Sequence, residues 1–370
     1  MSCSFIDPDL SFAKSRLVKY PCFSAFLTDE RIKQVYSLPE QYKSHPIKEL
    51  LLMVLGKQSM SPVLWNTEQA FEWLCIQGAP LESWVKTKFE AYLHDEDYEN
   101  ASAILGEIRA LGYLIQTGLN VRPISETSNP TPDFQVIFGE QEKAFVEVAT
   151  KQMNYEEAER LKIWRNSAFK ESSRYIIPPL MNHPAGIPQN DSETVGENVG
   201  HKIASIKPKA RQASEEGICI LWIDLQDQDW RSVQVAHAKP VTISKGKFYS
   251  GGLWHGFYGT KGTPTFEAHS LDECPIECSY KQSYPGLFNQ DVDWSAAILS
   301  LKCSTIIMEN PGSKKELPKS LLTYLFKLPG FNYSNSWISW PKDKEGLKNR
   351  IEDQISQLEQ LQEHAKYISR

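Results

Sequence analysis

Two acidic residues that flank a predicted β-hairpin could bind a divalent cation. Asp133 stands directly before the apolar segment FQVIF, and Glu147 lies within the next apolar segment, FVEVATKQ. Hydrolysis of a phosphodiester needs one or two divalent cations held by oxygen ligands, together with a base or cation beside the attacking water. Lys151 is the nearest lysine after Glu147. Glu107, which precedes the hairpin in the sequence, is a third candidate carboxylate. Two carboxylates on neighbouring strands would supply the minimum that this chemistry needs.

A hairpin must bring the two acids together. The sequence predicts strands at 134–138 and 144–148, joined by the polar turn 139–143. A turn centred on Gln141 places Asp133 opposite Ala149 and diagonal to both Glu147 and Lys151, so that all four share one face of the sheet.

A helix over about 98–117 is predicted to precede the hairpin. Its apolar residues recur at spacings of three and four, and Gly118 ends it. Glu107 lies at the edge of the apolar stripe, where it could reach the same metal. The stripe consists of Ile104, Leu105, Ile108, Leu111 and Ile115.

These segments resemble the PD-(D/E)xK nuclease superfamily. The resemblance rests on Glu107 in GEIRALGYL, on Thr131-Pro132-Asp133 before a strand, and on Glu147 and Lys151 in FVEVATKQ. It implies an α/β, restriction-endonuclease-like mixed sheet flanked by helices, and Mg²⁺-dependent cleavage of DNA, or in some members RNA. It also implies that Glu107, Asp133 and Glu147 bind Mg²⁺, or Mn²⁺ as a substitute, and that Lys151 orients or deprotonates the water.

The chain departs from the family pattern at one position. The family's lysine stands two residues after the second acid, where this chain has Ala149. Lys151 shares the face of Ala149 but lies about 7 Å further along the strand. A catalytically silent module that kept the fold and binds nucleic acid or partner proteins is therefore an alternative to an active enzyme.

A basic helical segment, Val199 to Ala213, is predicted to follow a long irregular stretch and to lead into a strand at Ile218–Leu225. The strand is a continuous apolar run, as expected for a strand buried on both faces. Pro208 starts or bends the helix. The residues expected to contact nucleic acid here are Lys202, Lys207, Lys209, Arg211 and Gln212.

Composition limits the other classes of function. The formal net charge of −6 does not favour a general nucleic-acid binder, so a local basic patch is needed. The seven cysteines are scattered and odd in number, which favours reduced thiols. No apolar run is long enough for a membrane helix, and the first residues lack a secretory pattern. We expect a cytoplasmic protein without a membrane partner.

The rest of the chain divides around this core. We expect a helical region at 1–97, a nuclease-like domain at 98–340 with insertions at about 154–198 and 226–294, and a C-terminal helical segment at 341–370. The second, large insertion precedes the last core strand, predicted at Ala296 to Ile307, and the final helix is predicted at Glu345 to Tyr367.

The second insertion leaves two alternatives open. Its cations and aromatics could contact single-stranded nucleic acid or form a packed loop. They are Lys245, Lys247, Tyr249, Trp254, His255, Tyr258 and Lys261. Cys274 and Cys278, with His269 nearby, could bind zinc, although a structural zinc site usually has four ligands at tighter spacings.

The sequence therefore predicts a Mg²⁺-dependent endonuclease acting on DNA. By analogy its setting is restriction or anti-phage defence, as a homodimer or a subunit of a defence complex. An RNA-cleaving nuclease or toxin is the remaining alternative.

Overall fold

The structure is a computed structural model of the chain. It describes residues 10–11, 14–15, 17–37, 62–94, 98–125, 131–150, 195–206, 217–226, 233–244, 247–266, 280–290, 293–331 and 344–368. The predicted first insertion lies almost wholly outside these residues.

Helices fill the N-terminal part of the described chain, as predicted. Their bounds are α1 Pro21–Phe26, α2 Asp29–Ser37, α3 Pro62–Ile76, α4 Ala79–His94 and α5 Tyr98–Gln116. Helix α1 carries proline in its first turn, where the missing N–H costs no hydrogen bond. The carboxylate of Glu68 on α3 accepts the N–H groups of Cys22 and Phe23 at 2.7 and 2.8 Å, which satisfies donors at the start of α1.

Helix α5 confirms the helix predicted at 98–117, and Gly118 follows it with a φ of 91°. Two glycines bring this helix close to its neighbours. A Cβ on Gly106 would lie 2.3 Å from Thr150 Oγ1, and one on Gly112 would lie 2.7 Å from Ala70 Cα. Close approach of α5 to the sheet and to α3 therefore requires glycine at both positions.

A six-stranded mixed sheet lies at the centre, in the order β1-β2-β3-β4-β9-β10. Strands β3, β4 and β9 run parallel, and the other neighbours pair antiparallel. The mixed α/β sheet with flanking helices is confirmed. Its strands are β1 Asn120–Pro123, β2 Phe134–Phe138, β3 Glu142–Thr150, β4 Ile218–Leu225, β9 Ala296–Leu301 and β10 Thr305–Glu309.

Two apolar cores cover the two faces of the sheet. Alternate residues of β4 enter different cores: Ile220 and Trp222 join the first, whereas Leu221 and Ile223 join the second. This double burial explains why the strand reads as a continuous apolar run. The first core also contains buried residues from the N-terminal helices and α5, so these helices pack directly on the sheet.

The segment between β4 and β9 forms small elements, and several of its side chains, among them Leu253, Phe257 and Leu287, lie in the second core. The elements are β5 Val241–Ser244, β6 Lys247–Ser250, α7 Gly252–Tyr258, β7 Pro264–Thr265, β8 Tyr280–Lys281 and the 3₁₀ turns Val235–Ala238 and Leu287–Asn289. Because β4 and β9 are adjacent parallel strands, this segment is also the crossover that joins them.

Three helices complete the described chain. Their bounds are α6 Val195–Ala204, α8 Lys319–Leu325 and α9 Lys344–Ile368. Helix α9 confirms the predicted C-terminal helix, and its buried Leu347, Ile351 and Leu358 pack in the second core. Helix α6 ends at Ala204, short of the predicted end at Ala213, and residues 207–216 lie outside the described chain.

One predicted strand was wrong. The apolar segment from Ala296 to Ile307 forms two antiparallel strands, β9 and β10, with Thr305 paired to Ser300. Residues 302–304 make the turn, and Leu301 donates to the carbonyl of Ser304 at 2.8 Å. The segment is not one strand because the chain reverses between its two buried halves.

Candidate active site

Asp133 is fixed at the start of β2 by hydrogen bonds on both sides. Its Oδ2 accepts the backbone N–H of Val148 on β3 at 2.7 Å. Its backbone carbonyl accepts the N–H of Ile124, which follows β1, at 2.9 Å. The carboxylate is thus held at the junction of three strands rather than on a free turn.

Glu147 lies beside Asp133 on the neighbouring strand. Phe134 pairs with Val146, and this antiparallel register, continued by one residue, places Asp133 opposite Glu147. Glu147 is 7% exposed. The two acids predicted as metal ligands are therefore neighbours in the sheet: the Asp133 carboxylate contacts the N–H of Val148, the residue after Glu147.

The predicted hairpin register was wrong, although the shared face is unchanged. The turn occupies 139–141 instead of 139–143, because Glu142 and Lys143 pair with Phe138 and Ile137. Asp133 therefore lies opposite Glu147 rather than opposite Ala149. Moving the partner by two residues keeps the same sheet face, since side chains alternate with a period of two.

A cavity of about 740 Å³ opens beside Asp133, between α4, α5 and the edge strand β1. Glu107 and Asp133 both line it, whereas Glu147 is not among its described lining residues. The lining residues are Gln77, Leu81, Trp84, Lys88, Glu107, Asn120, Val121, Arg122, Pro123, Ile124, Ser125, Thr131, Pro132 and Asp133.

Glu107 forms an ion pair at the cavity wall. Its Oε2 lies 2.6 Å from Nζ of Lys88 on α4, and the two side chains are 18% and 21% exposed. The same ammonium lies 5.8 Å from the ring centroid of Trp84. Trp84 in turn packs edge-on against Phe134, with 5.8 Å between ring centroids.

The cavity residues that sequence reasoning missed include two cations and an aromatic ring: Lys88, Arg122 and Trp84. The spacing of Trp84 and Lys88 by four on a helix places them on one face. That spacing could have marked a shared surface, but nothing in the sequence relates it to Asp133. Arg122 lies on a four-residue edge strand that was not predicted.

The donor set suits a hard cation, but three acids do not converge. Within the described ranges, no group of three or more His, Cys, Asp or Glu side chains is placed to hold a metal ion. Asp133 and Glu147 still offer carboxylate oxygens on adjacent strands. Mg²⁺ is commonly held by one or two carboxylates together with waters and substrate phosphates, so a pair of acids fits it.

The predicted basic helix is only partly described. Lys202 lies on α6 and is 8% exposed, which leaves little of its surface for a phosphate contact. The other predicted contacts, Lys207, Lys209, Arg211 and Gln212, lie outside the described residues, as does Lys151. Their roles stay predictions.

Three of the insertion residues considered for contact with nucleic acid are internal. Trp254, His255 and Tyr258 are at most 1% exposed, so they do not present a surface for stacking on bases. His255 Nδ1 lies 3.0 Å from Gln282 Oε1, and burial lowers the pKa of His255 to about 4. The packed alternative holds for these three residues. Cys274, Cys278 and His269 lie outside the described residues.

Comparison of the chain with models of protein families, with curated proteins and with solved structures gives no match. A search of the described helices finds none with the length and apolar character needed to cross a bilayer.

Proposed function

We propose that this protein is a metal-dependent nuclease of the PD-(D/E)xK type that hydrolyses phosphodiester bonds in DNA. The observation that carries the proposal is the hydrogen bond from Val148 to Asp133, which holds the Asp133 carboxylate against β3 at the residue after Glu147. Asp133 and Glu107 also line one cavity. Order along the chain supports it too: helix, hairpin, helix and central strand follow as the sequence resemblance implies.

Asp133 and Glu147 are the proposed metal ligands. Bound Mg²⁺ would polarise the phosphoryl oxygens and lower the pKa of a coordinated water. The Val148 N–H donates to Oδ2 of Asp133 and holds the carboxylate at the start of β2. Glu107 would complete the shell only by leaving Lys88, because its Oε2 is 2.6 Å from that ammonium.

The lysine position favours a second candidate function. Ala149 is partly buried against the second core, so the strand presents a methyl group where the family presents an ammonium. This observation supports a catalytically silent module that binds nucleic acid or partner proteins. Lys151 remains the residue proposed to supply the ammonium group in the active enzyme.

Restriction or anti-phage defence in the cytoplasm, as a homodimer or complex subunit, remains the proposed setting.

The experiment is a cleavage assay on plasmid DNA, single-stranded DNA and RNA with Mg²⁺, Mn²⁺ or EDTA. We expect the wild type to cut DNA with either metal and not in EDTA. Asp133→Ala and Glu147→Ala should each abolish cleavage while retaining the wild-type circular dichroism spectrum.

Glu140→Ala is the matched control, because Glu140 is an exposed acid in the turn of the same hairpin. It should cut like the wild type. Cutting near the wild-type rate by both site variants would refute the assigned ligands. Cleavage of RNA alone would assign an RNA nuclease, and no cleavage of any substrate would support the silent module.

A further inference from the structure

The cavity beside Asp133 holds groups that the proposed metal site does not use. We propose that it binds one nucleotide of a single-stranded nucleic acid, with a phosphate on Arg122 and the base against Trp84. The inference rests on the proposed function in so far as it names how the same site would hold its substrate.

The lining has the mixed character of a ligand pocket. Its volume of about 740 Å³ falls within the roughly 300–1,000 Å³ typical of small-molecule and cofactor sites. Leu81, Val121 and Ile124 supply apolar wall, and Ser125 and Thr131 supply hydroxyl groups. A cavity of this size accommodates a single nucleotide unit, whereas a stacked duplex would have to extrude one.

Among the described residues that line the cavity, Arg122 is the cation that is open to an anion. It is exposed on edge strand β1, and it takes part in none of the ion pairs formed among the described residues. Lys88, the other cation in the wall, is already paired with Glu107. A guanidinium can donate two parallel hydrogen bonds to a phosphate, which a point-charge ammonium cannot do.

Trp84 supplies an aromatic wall in a defined position. It is partly buried, and its contact with Phe134 at 69° between ring planes fixes its orientation. Every base has a π-face, so stacking on such a ring tolerates any sequence. An arginine and a tryptophan in one cavity thus match the two parts of a nucleotide, and Asp133 lines the same cavity.

The test measures binding in EDTA, where metal-dependent cleavage cannot occur. The anisotropy of a short labelled single-stranded DNA is recorded against protein concentration for the wild type, Arg122→Ala and Lys143→Ala. Lys143 is an exposed cation on β3 that does not line the cavity, so both variants change the net charge equally. Deoxyadenosine monophosphate and deoxyadenosine then serve as unlabelled competitors.

We expect Arg122→Ala to weaken binding about tenfold or more, the scale of a lost hydrogen bond to a charged group. The log–log salt slope should fall by about 0.7, as for one phosphate contact of a single strand. Lys143→Ala should bind like the wild type. The monophosphate should compete at least about tenfold better than the nucleoside, because only the former carries the group that Arg122 binds.

Trp84→Leu should weaken binding of the strand while leaving its salt slope unchanged, because it removes stacking and no charge. Equal binding by Arg122→Ala and Lys143→Ala would overturn the inference, and so would a wild type that binds neither the strand nor the monophosphate. Binding that depends on Arg122, without cleavage in Mg²⁺, would support the nucleotide pocket and refute the nuclease activity. If the wild type cleaves DNA and Arg122→Ala changes neither cleavage nor binding, the nuclease activity is supported and the pocket is refuted.

Discussion

Helix α5 contributes charged residues to two regions that use them in different ways. Arg109 is fully buried above the centre of the sheet, and its Nη2 and Nε donate to the two carboxylate oxygens of Asp224 at 2.5 and 3.0 Å. Glu107 lies two positions earlier at the cavity wall, where its Oε2 is 2.6 Å from Nζ of Lys88. The buried pair leaves no room for a ligand, whereas the partly exposed pair lies in a cavity wall that a ligand can reach.

The sealed region extends into a polar network that joins several elements. Asp224 Oδ1 accepts the N–H of Gln226 at 3.3 Å, and Gln226 Nε2 donates to Ser300 Oγ at 2.7 Å. Asn66 on α3 donates to Gln226 Oε1 and to the carbonyl of Lys302. These bonds tie the ends of β4 and β9 to the N-terminal helices, so we assign this region to stability rather than to chemistry.

The largest expected effect is the loss of stability on Asp224→Ala. Removing the acid leaves the Arg109 guanidinium buried without its carboxylate, and breaking such a pair costs about 3–5 kcal/mol. Urea denaturation should show this drop in the free energy of unfolding. Asp293→Ala, at an exposed acid, is the control and should lie within about 0.5 kcal/mol of the wild type. A loss under 1 kcal/mol for Asp224→Ala would remove the contrast between the two regions.

Glu309 tests what burial does to a carboxylate whose neighbour is another acid. Burial, and then repulsion from Glu316, raises its pKa from 4.5 to about 7. The folded protein therefore binds an extra proton between these values, and the stability that this group contributes below pH 4.5 is lost as the pH rises through 7.

Glu309→Gln should remove that part of the pH dependence. Unfolding free energies of the two proteins, measured by urea denaturation from pH 4 to 8, should diverge progressively in favour of the variant as the pH rises through this window. His255 contributes the opposite slope in both proteins, so the difference between them isolates Glu309. A constant difference across the range would contradict the raised pKa.

The smallest expected effect is that of Glu107→Gln on stability. Its pair with Lys88 is partly exposed, and such pairs contribute about 0–1 kcal/mol. The unfolding free energy of the metal-free variant should therefore change by less than about 1 kcal/mol. A change as large as that of Asp224→Ala would mean that Glu107 is a structural residue like Arg109.

The sequence predicted the helix and the strand whose buried faces leave a clear apolar pattern. Strand β4 has the predicted bounds, because burial on both faces leaves a continuous apolar run. Helix α5 was visible from its apolar stripe. The turn at 302–304 was missed because Lys302, Cys303 and Ser304 carry neither glycine nor proline, the usual turn signals.

The candidate site was only partly predictable for a different reason. Asp133 and Glu147 are close in sequence, and either hairpin register places them on one face. The register itself depends on the backbone of the turn, where Gly139 and Gln141 both have positive φ. Trp84, Lys88 and Arg122 reach the cavity through packing of α4, α5 and β1, which no local pattern encodes.

The most direct test of the central claim is a crystal of the protein soaked in Mn²⁺. Anomalous scattering locates the ion without any assumption about activity. We expect one peak between Asp133 and Glu147, at the metal–oxygen bonding distance of about 2.1 Å from at least one oxygen of each. A fully occupied ion elsewhere, or none at these acids in crystals that retain the hydrogen bond from Val148 to Asp133, would contradict the assignment of these two residues as metal ligands.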